Sequence, residues 1–460
     1  MSSAKLFSYS ILEAGAGCKM GKFDLEDAYK NVPVPIRELN LQGFAWLGRY
    51  FIELKQMFGT VSSVQNFDII GNTLKAISLA ECNIPRSWVH RQLDDVPYVS
   101  RANSQDGYLF ESVYRNNCKV IGIALAKDCP SFDKAFSDST YGKVLGIIFD
   151  TTSLSWRLSE EKSQKYKNLI ATLSNKKRVS LFDLQNLMGC LNHVTQMCPF
   201  LLSFRFNILK CLKNLENDSN KLIELTPEAL SEMRVWWGFL NDASPWIPIC
   251  NPPNHPPICT KVFTSDAAGL PCNAAWEGNI GCGVIGLDEN GSVCLITQLW
   301  WPKSFITAQK DSKGKRFGNK TATLELVGII LPFLLIPELL QNQHVRLKTD
   351  NLSCVFGHQN GYMKGDECAS ILLRCLYVIS AFLGCATHIE HIPRRSDWES
   401  EVADNLSRER STGFMERQLM AKSLKNDFPQ ALLDWLDNAS EDWSLPLQLL
   451  DHVKNKCSVC

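Results

Sequence analysis

Residues 92–96 (QLDDV) place Asp94 and Asp95 side by side between two apolar residues, a pattern that predicts a tight hairpin presenting both carboxylates. Asp24 follows the short segment 22–23 (KF), which is typical of a strand end. Nucleotidyl transfer uses two divalent ions about 4 Å apart, and carboxylates hold such ions. Either acidic segment alone is more typical of a solvated turn, so the residues between them decide the interpretation.

The segments around these acids resemble, in order and spacing, the successive motifs of retroelement reverse transcriptases. The segments that carry the A, B and C motifs and the two following motifs are 22–29 (KFDLEDAY), 57–64 (MFGTVSSV) with Phe67, 92–95 (QLDD), Lys134, and 142–150 (GKVLGIIFD). The resemblance implies an RNA-directed DNA polymerase that uses an RNA template, a DNA primer and deoxynucleoside triphosphates.

The resemblance also implies roles for individual residues. Asp24, Asp94 and Asp95 would bind two Mg²⁺ or Mn²⁺ ions. Tyr29 would lie under the incoming sugar and exclude a 2′-hydroxyl, and Lys134 would contact the nucleotide. Each position is occupied here by the residue type that the motif requires.

Three further segments narrow the resemblance to one subgroup. Residues 145–150 (LGIIFD), 158–162 (LSEEK) and 187–193 (LMGCLNH) are most similar to the tyrosine-recombinase retroelements of the DIRS and Ngaro type. Two positions depart from the pattern: Gln92 replaces an aromatic residue and Val64 replaces a proline. We expect these changes to loosen the nucleotide pocket without removing a metal ligand.

A second set of acids occupies the later part of the chain. Four short segments each place one acid at a predicted strand end or on a predicted helix: 264–266 (TSD), 323–326 (TLEL), 349–351 (TDN) and 402–404 (VAD). Carboxylates on such elements can converge on one point and hold two ions for phosphodiester hydrolysis. Taken singly, each acid is more typical of a helix cap or a surface charge.

This second set resembles the ribonuclease H domain that follows the polymerase in such elements. Residues 391–395 (HIPRR) and 403–408 (ADNLSR) look like its closing motif, and the match covers about 261–410. The resemblance implies that Asp266, Glu325, Asp350 and Asp404 hold metal ions and that the substrate is an RNA–DNA hybrid. A basic loop in this region is either a solvated turn or a phosphate contact: Lys310, Lys313, Lys315 and Arg316.

The fold class predicted from these patterns and resemblances is an α+β polymerase palm with truncated fingers and a helical thumb, followed by an α/β ribonuclease H-like domain. The fingers are expected to be partial because only 23 residues precede Asp24. We expect five segments: partial fingers and palm at 1–150, thumb at 151–215, connection or linker at 216–260, ribonuclease H-like domain at 261–410, and a helical tail at 411–460.

Composition is compatible with a globular chain that binds nucleic acid through local charge. Lys plus Arg and Asp plus Glu both number 48, so net charge gives no support for a polyanionic partner. The 18 cysteines are scattered and expected to be mostly reduced; the terminal Cys457–Cys460 pair is a weak zinc or prenylation signal. The apolar run 326–340 contains prolines and is short for a bilayer span. We expect an intracellular protein, in nucleus or cytoplasm, that is not secreted and has no membrane partner.

Three functional hypotheses follow. The first is an RNA-directed DNA polymerase with ribonuclease H activity. The second is a catalytically inactive retroelement remnant that at most binds nucleic acid. The third is ribonuclease H activity alone, because cleavage of a hybrid does not need the fingers.

Overall fold

The computed structural model describes residues 4–126, 134–214, 221–241, 247–249, 261–269, 279–302, 321–408, 426–438 and 442–458. The chain forms two compact units. The first comprises Met1–Asn168 with Phe239–Asn251, and the second comprises Leu169–Gly238 with Pro252–Cys460.

The first unit contains two sheets and a separate hairpin. Its helices are α1 (Ala4–Ala14), α2 (Val61–Ala80) and α3 (Asp106–Ile121), with short 3-10 helices at Ala28–Asn31, Ile36–Gln42 and Arg86–Trp88. Its strands are β1 (Lys19–Asp24), β2 (Gly43–Trp46), β3 (Arg49–Ile52), β4 (Asp95–Ser100), β5 (Phe136–Ser139), β6 (Tyr141–Val144), β7 (Ile147–Asp150), β8 (Ser155–Leu158) and β11 (Ile247–Pro248). The strand orders are β4-β1-β5 and β11-β8-β7-β6, and β2 pairs with β3.

An aromatic cluster fixes the central strand of the first sheet. The ring of Phe23 in β1 stacks on Tyr114 of α3 at 4.5 Å and on Tyr98 of β4 at 5.4 Å. All three side chains are buried, and stacked aromatic pairs stabilise a core beyond their buried area. This packing determines where β1 ends, and therefore where Asp24 lies.

The second unit begins and ends with helices and contains a mixed sheet. Its helices are α5 (Leu181–Thr195), α6 (Phe206–Lys213), α8 (Thr321–Leu335), α9 (Leu352–Asn360), α10 (Glu367–Leu383), α11 (Trp398–Leu406), α12 (Gln430–Asn438) and α13 (Leu445–Ser458); α4 (Glu160–Asn175) and α7 (Pro227–Asn241) each contain a unit boundary. Two 3-10 helices lie at Pro199–Arg205 and Pro337–Leu339. Its strands are β9 (Val179–Ser180), β10 (Leu222–Ile223), β12 (Lys261–Ala267), β13 (Gly281–Leu287), β14 (Val293–Trp300), β15 (His344–Thr349) and β16 (Ala386–His391).

The large sheet has the order β14-β13-β12-β15-β16. β12 is antiparallel to β13 and parallel to β15, and β15 is parallel to β16. Strand-like and helical patterns after residue 261 predict three strands, a helix, a strand, a helix, a strand and a helix. This order is present, with two helices, α9 and α10, between β15 and β16. Helix α8 is buried from Thr323 to Leu335, as expected for a helix that is apolar on all sides.

Two elements of the second unit differ in how well the sequence predicted them. The spacing of Ser180 and Asp183 in the sequence predicts a capping box at the start of α5, and it is confirmed, because each side chain accepts a hydrogen bond from the other residue's backbone N–H. Helix α7, in contrast, occupies part of the segment 216–260 that was expected to be a connection. Its residues Ala229, Met233 and Trp236 are fully buried at helical spacing, a periodicity that our sequence prediction missed.

The C-terminal residues belong to the core of the second unit. Leu432, Trp435 and Leu436 of α12 and Leu449 and Val453 of α13 pack in the same apolar cluster as α8 and α10. The helix expected around 432–436 is present, and α13 adds a second one. The described helices of the tail thus contribute to the core of the second unit.

Several smaller predictions can be compared with the described residues. Residues 247–248, in the proline-rich segment expected to be a linker, pair with β8. The cysteines of the described segments are free thiols, and Cys460 of the terminal pair lies outside them. Among described helices, none combines the length and apolar character that crossing a membrane requires.

Candidate functional site

Three acids of the second unit converge at one edge of its sheet. One carboxylate oxygen each from Asp266, Glu325 and Asp350 lie within 4.8 Å of one another. Asp266 is near the end of β12, and Asp350 directly follows β15. Because these strands are parallel neighbours, their carboxyl ends meet at the same edge. The tertiary fold thereby joins acids that are far apart in sequence.

Glu325 supplies the third carboxylate from inside α8. Its side chain is 4 % exposed, and its oxygens accept hydrogen bonds from the Ala267 backbone N–H and the Thr349 hydroxyl, both at 3.2 Å. Burial, then the negative charges of Asp266 and Asp350, raise the pKa of Glu325 well above its usual value. Buried carboxylates that repel one another are stabilised by a bound cation, so this group fits a divalent metal ion.

Asp404, the fourth predicted ligand, is placed differently. It lies on α11, is 1 % exposed, and is outside the group of three. Arg394 Nη2 bonds one of its carboxylate oxygens at 2.6 Å, and Arg395 Nε bonds the other at 2.9 Å. Arg408 also pairs with Asp404. Both oxygens are therefore engaged by guanidinium groups.

Asp266 connects the three-carboxylate group to the arginines around Asp404. Its Oδ2 accepts a hydrogen bond from the Ser407 hydroxyl at 2.6 Å and from Arg408 Nη1 at 3.3 Å. The close approach of α11 to the sheet depends on Gly283, where a Cβ would lie 2.3 Å from the Cβ of Leu406. The arginines and the carboxylate group thus form one continuous polar surface.

The first unit places its three predicted aspartates around the β1–β4 pair. Asp24 and Asp95 are cross-strand partners, and the Leu25 backbone N–H donates to the Asp94 carbonyl oxygen at 3.1 Å. The turn before β4 is closed by backbone hydrogen bonds between Gln92 and Asp95 in both directions. The predicted tight hairpin is therefore present, but the carboxylate oxygens of these three aspartates do not all approach within 4.8 Å of one another, as those of the second unit's group do.

Burial and mutual repulsion raise the pKa of two of these acids. Burial, opposed by Lys22 and reinforced by the other two aspartates, raises the pKa of Asp95 to about 6. Burial and Asp94 raise the pKa of Asp24, which Lys134 opposes. Lys22 Nζ lies 3.5 Å from Asp95 Oδ1. The three acids therefore influence one another's charge, and Lys134 acts on Asp24.

Tyr29 contacts the segment expected to carry the B motif. Its ring makes edge-to-face contacts with Phe58 at 5.0 Å and Phe67 at 5.8 Å. The side chain is 8 % exposed. The structure therefore brings the first two predicted motifs together at Tyr29.

The sequence and the structure were compared with known proteins. No protein-family model and no curated protein matches the sequence. The structure is similar to a foamy viral protease–reverse transcriptase dRH in complex with double-stranded DNA, at 13% identity and a TM-score of 0.44, covering 85% of this chain and 60% of that one. Foamy viral protease–reverse transcriptase with double-stranded DNA gives 13% identity, a TM-score of 0.43, and 86% and 72% coverage.

A third similar structure is foamy viral protease–reverse transcriptase in complex with RNA/DNA hybrid. Identity is 13%, the TM-score is 0.42, and coverage is 85% of this chain and 46% of that one. The chain thus spans about 60% of the length of the first of these structures.

Arg91 is a site residue that sequence reasoning missed. Its guanidinium donates to the Leu93 carbonyl oxygen at 2.8 Å and to Asn72 Oδ1 at 3.2 Å, and it pairs with Asp68. A Cβ at Gly71 would lie 2.2 Å from Nη1 of Arg91, so a larger residue there would displace the guanidinium from its present position. Arg91 ties α2 to the acidic turn. Its position in the sequence, immediately before residues 92–95, was the signal that could have identified it as a site residue.

The arginines around Asp404 were also assigned no role from sequence. Residues 391–395 and 403–408 were quoted only as parts of a motif, although both contain arginine. The basic loop at Lys310, Lys313, Lys315 and Arg316 lies outside the described residues.

Proposed function

We propose that this chain hydrolyses the RNA strand of an RNA–DNA hybrid at the Asp266, Glu325 and Asp350 group, and that the same chain carries an RNA-directed DNA polymerase palm of retroelement origin. The observation that supports it most directly is the convergence of three carboxylates at the edge of a five-stranded mixed sheet. Divalent ions, magnesium or manganese, would supply activation of water and neutralisation of the leaving oxygen.

The chain's own residues have separable tasks in this reaction. Asp266 and Asp350 present carboxylates from two parallel strands, and Glu325 presents a third from α8. Hydrogen bonds from the Ala267 N–H and the Thr349 hydroxyl hold Glu325 in one orientation. Such fixed orientation provides catalytic geometry without reorganisation during the reaction.

The polymerase part of the proposal rests on residues 22–29, 57–64 and 92–95 and on the pairing of Asp24 with Asp95. Tyr29 would select deoxynucleotides, and Lys134 would contact the triphosphate. The closer subgroup that we propose, from sequence resemblance alone, is the DIRS and Ngaro type. Intracellular location likewise remains a proposal.

The nuclease assay uses an RNA strand labelled at its 5′ end and annealed to DNA. We expect cleavage in Mg²⁺ or Mn²⁺ that Asp350→Asn abolishes, with a loss of at least roughly 100-fold, because one metal ligand loses its charge. Asp434→Asn, at an exposed position of α12, is the matched control and retains activity. If the purified chain cleaves no hybrid in either metal, the nuclease proposal fails.

The polymerase assay is primer extension on an RNA template. We expect extension that Asp94→Asn abolishes and that Asp138→Asn, an exposed residue of β5, leaves intact.

A second candidate function, ribonuclease H activity alone, is favoured by one observation: the compact carboxylate group among the described residues lies in the second unit. Hybrid cleavage without any primer extension would select that candidate. Binding without either reaction would select the inactive remnant.

A further inference from the structure

Three arginines surround Asp404 at one surface of the second unit. Arg394 contributes Nε and Nη2 at 3.2 and 2.6 Å from Oδ1. Arg395 places Nε 2.9 Å from Oδ2, and Arg408, two residues beyond the end of α11, also pairs with Asp404. A pocket is lined by these four residues. This group, Arg394, Arg395, Arg408 and Asp404, is called the arginine cluster below.

The side chains of the arginine cluster are buried to different extents. The Asp404 side chain is 1% exposed, whereas those of Arg394 and Arg395 are 50% and 47% exposed. A guanidinium has five N–H donors, and Asp404 takes two from each of these arginines. Donors therefore remain on the solvent side, while the carboxylate is inaccessible behind them.

The charge balance of the arginine cluster favours an anion. Three guanidinium groups face Asp404, and Asp266 is the other carboxylate bonded to Arg408. Arg394 Nη2 also lies 3.9 Å from Asp266 Oδ1. Asp266 and Asp350 offset the charge of Arg408, whereas the exposed positive charge belongs to Arg394 and Arg395. Planar guanidinium forks match phosphate oxygens in geometry as well as charge.

The backbone at Arg395 is consistent with a positioned side chain. Its φ of 52° lies in the left-handed region, which a residue other than glycine occupies at an energetic cost. The ion pair with Asp404 stabilises this conformation. Helix α11, which carries Asp404, begins at the Asp397–Ser400 capping box two residues beyond Arg395.

We propose that Asp404 is a positioning residue that aligns Arg394, Arg395 and Arg408 into a clamp for the phosphate backbone of a nucleic-acid strand beside the three-carboxylate group. The choice of nucleic acid as the ligand rests on the proposed function. Arg408 bonds both Asp266 and Asp404, so the clamp adjoins the carboxylate group directly. A strand held there lies with its backbone next to Asp266.

The first test measures binding without metal. A fluorescein-labelled RNA–DNA hybrid is titrated with the full chain in EDTA at several KCl concentrations, and anisotropy gives Kd. For the double variant R394A/R395A we expect weaker binding and a salt slope lower by about 1 for each phosphate contact removed. Arg178→Ala is the matched control, because Arg178 is 60% exposed and lies 3.9 Å from Glu224. Equal slopes for the double variant and the control overturn the proposal.

The second test separates positioning from metal binding. Mn²⁺ binding, followed by electron paramagnetic resonance, is compared in Asp404→Asn and Asp350→Asn. We expect Asp404→Asn to keep the Mn²⁺ affinity of the parent chain within about threefold and to lower the salt slope of hybrid binding. We expect Asp350→Asn to weaken Mn²⁺ binding and to leave that salt slope unchanged. Loss of Mn²⁺ binding with an unchanged slope in Asp404→Asn shows a metal ligand and refutes the clamp.

Failure of the clamp and failure of the proposed function are distinguishable. Hybrid binding in EDTA is measured whether or not the chain cleaves. If the chain cleaves no hybrid but its salt slope still depends on the arginines, only the nuclease proposal is refuted. Circular dichroism checks folding of every variant. If Asp404→Asn does not fold, R394A/R395A decides the outcome, because the side chains that it removes, Arg394 and Arg395, are half-exposed.

Discussion

Glu325→Gln should stabilise the metal-free chain while removing its stabilisation by divalent ions. Glu325 is 4 % exposed and lies within 4.8 Å of two other carboxylates. At that distance each pair of unit charges repels by roughly 3 kcal/mol at an effective dielectric constant of about 20. Glutamine keeps an acceptor for the Ala267 N–H and can donate to the Thr349 hydroxyl, so hydrogen bonds are largely retained.

The expected gain at pH 8 is about 2 kcal/mol, after allowance for hydrogen bonds that glutamine forms less well. A gain of that size corresponds to a rise in Tm of roughly 4–8 °C for a unit of this size. The pKa of Glu325 is raised in the folded state. Stability of the parent chain is therefore fully present below the ordinary glutamate pKa and is lost as pH rises from there to the folded pKa. The advantage of Glu325→Gln grows over the same interval and is constant above it.

The assay is thermal unfolding in EDTA and in Mg²⁺ between pH 4.5 and 8.5. Mg²⁺ should raise the Tm of the parent chain but not that of Glu325→Gln, because binding to the folded state alone stabilises it. Glu289→Gln, in the exposed turn between β13 and β14, is the matched control and should show neither effect. A lower Tm for Glu325→Gln at pH 8, or an advantage independent of pH, refutes the reasoning.

Three other substitutions test two buried charged residues and one helix cap. Asp95→Asn should be more stable than the parent chain at pH 8 but not at pH 4, because the folded pKa of Asp95 is raised to about 6 even with Lys22 nearby; urea unfolding that shows no pH dependence contradicts this. Arg374→Ala should destabilise by about 3–5 kcal/mol, since it leaves Glu232 buried and unpaired; the double variant R374M/E232Q should recover part of that loss in the same denaturation assay. Ser180→Ala should cost about 1 kcal/mol by removing the capping box of α5, and a change below about 0.3 kcal/mol would count against it.

The Glu232–Arg374 pair shows what local patterns fail to predict. Glu232 accepts hydrogen bonds from the backbone N–H groups of Asn207 and Ile208 at 2.9 and 3.2 Å and is 1% exposed. Arg374 also donates to the Ser203 carbonyl oxygen at 2.7 Å. The partners come from separate helices, so no spacing in the sequence pairs them.

The sequence by itself determined which acids the chain carries and indicated the elements around them, although it missed α7. The predicted strand ends at 264–266 and 349–351, the predicted helix at 323–326 and the hairpin at Asp94 and Asp95 are all present, because these signals are local and depend on neighbouring side chains. The motifs also grouped Asp266, Glu325, Asp350 and Asp404 as one set of metal ligands.

Only the tertiary structure decided how those acids are used. Asp404 was predicted as the fourth acid of that set, yet its carboxylate pairs with three arginines. Two come from the loop after β16 and one from the residues following α11. Charge pairing depends on distances between elements that are remote in sequence. The sequence therefore supplies the charged groups, and the packing of β12, β15, α8 and α11 determines whether each carboxylate meets other carboxylates or a guanidinium.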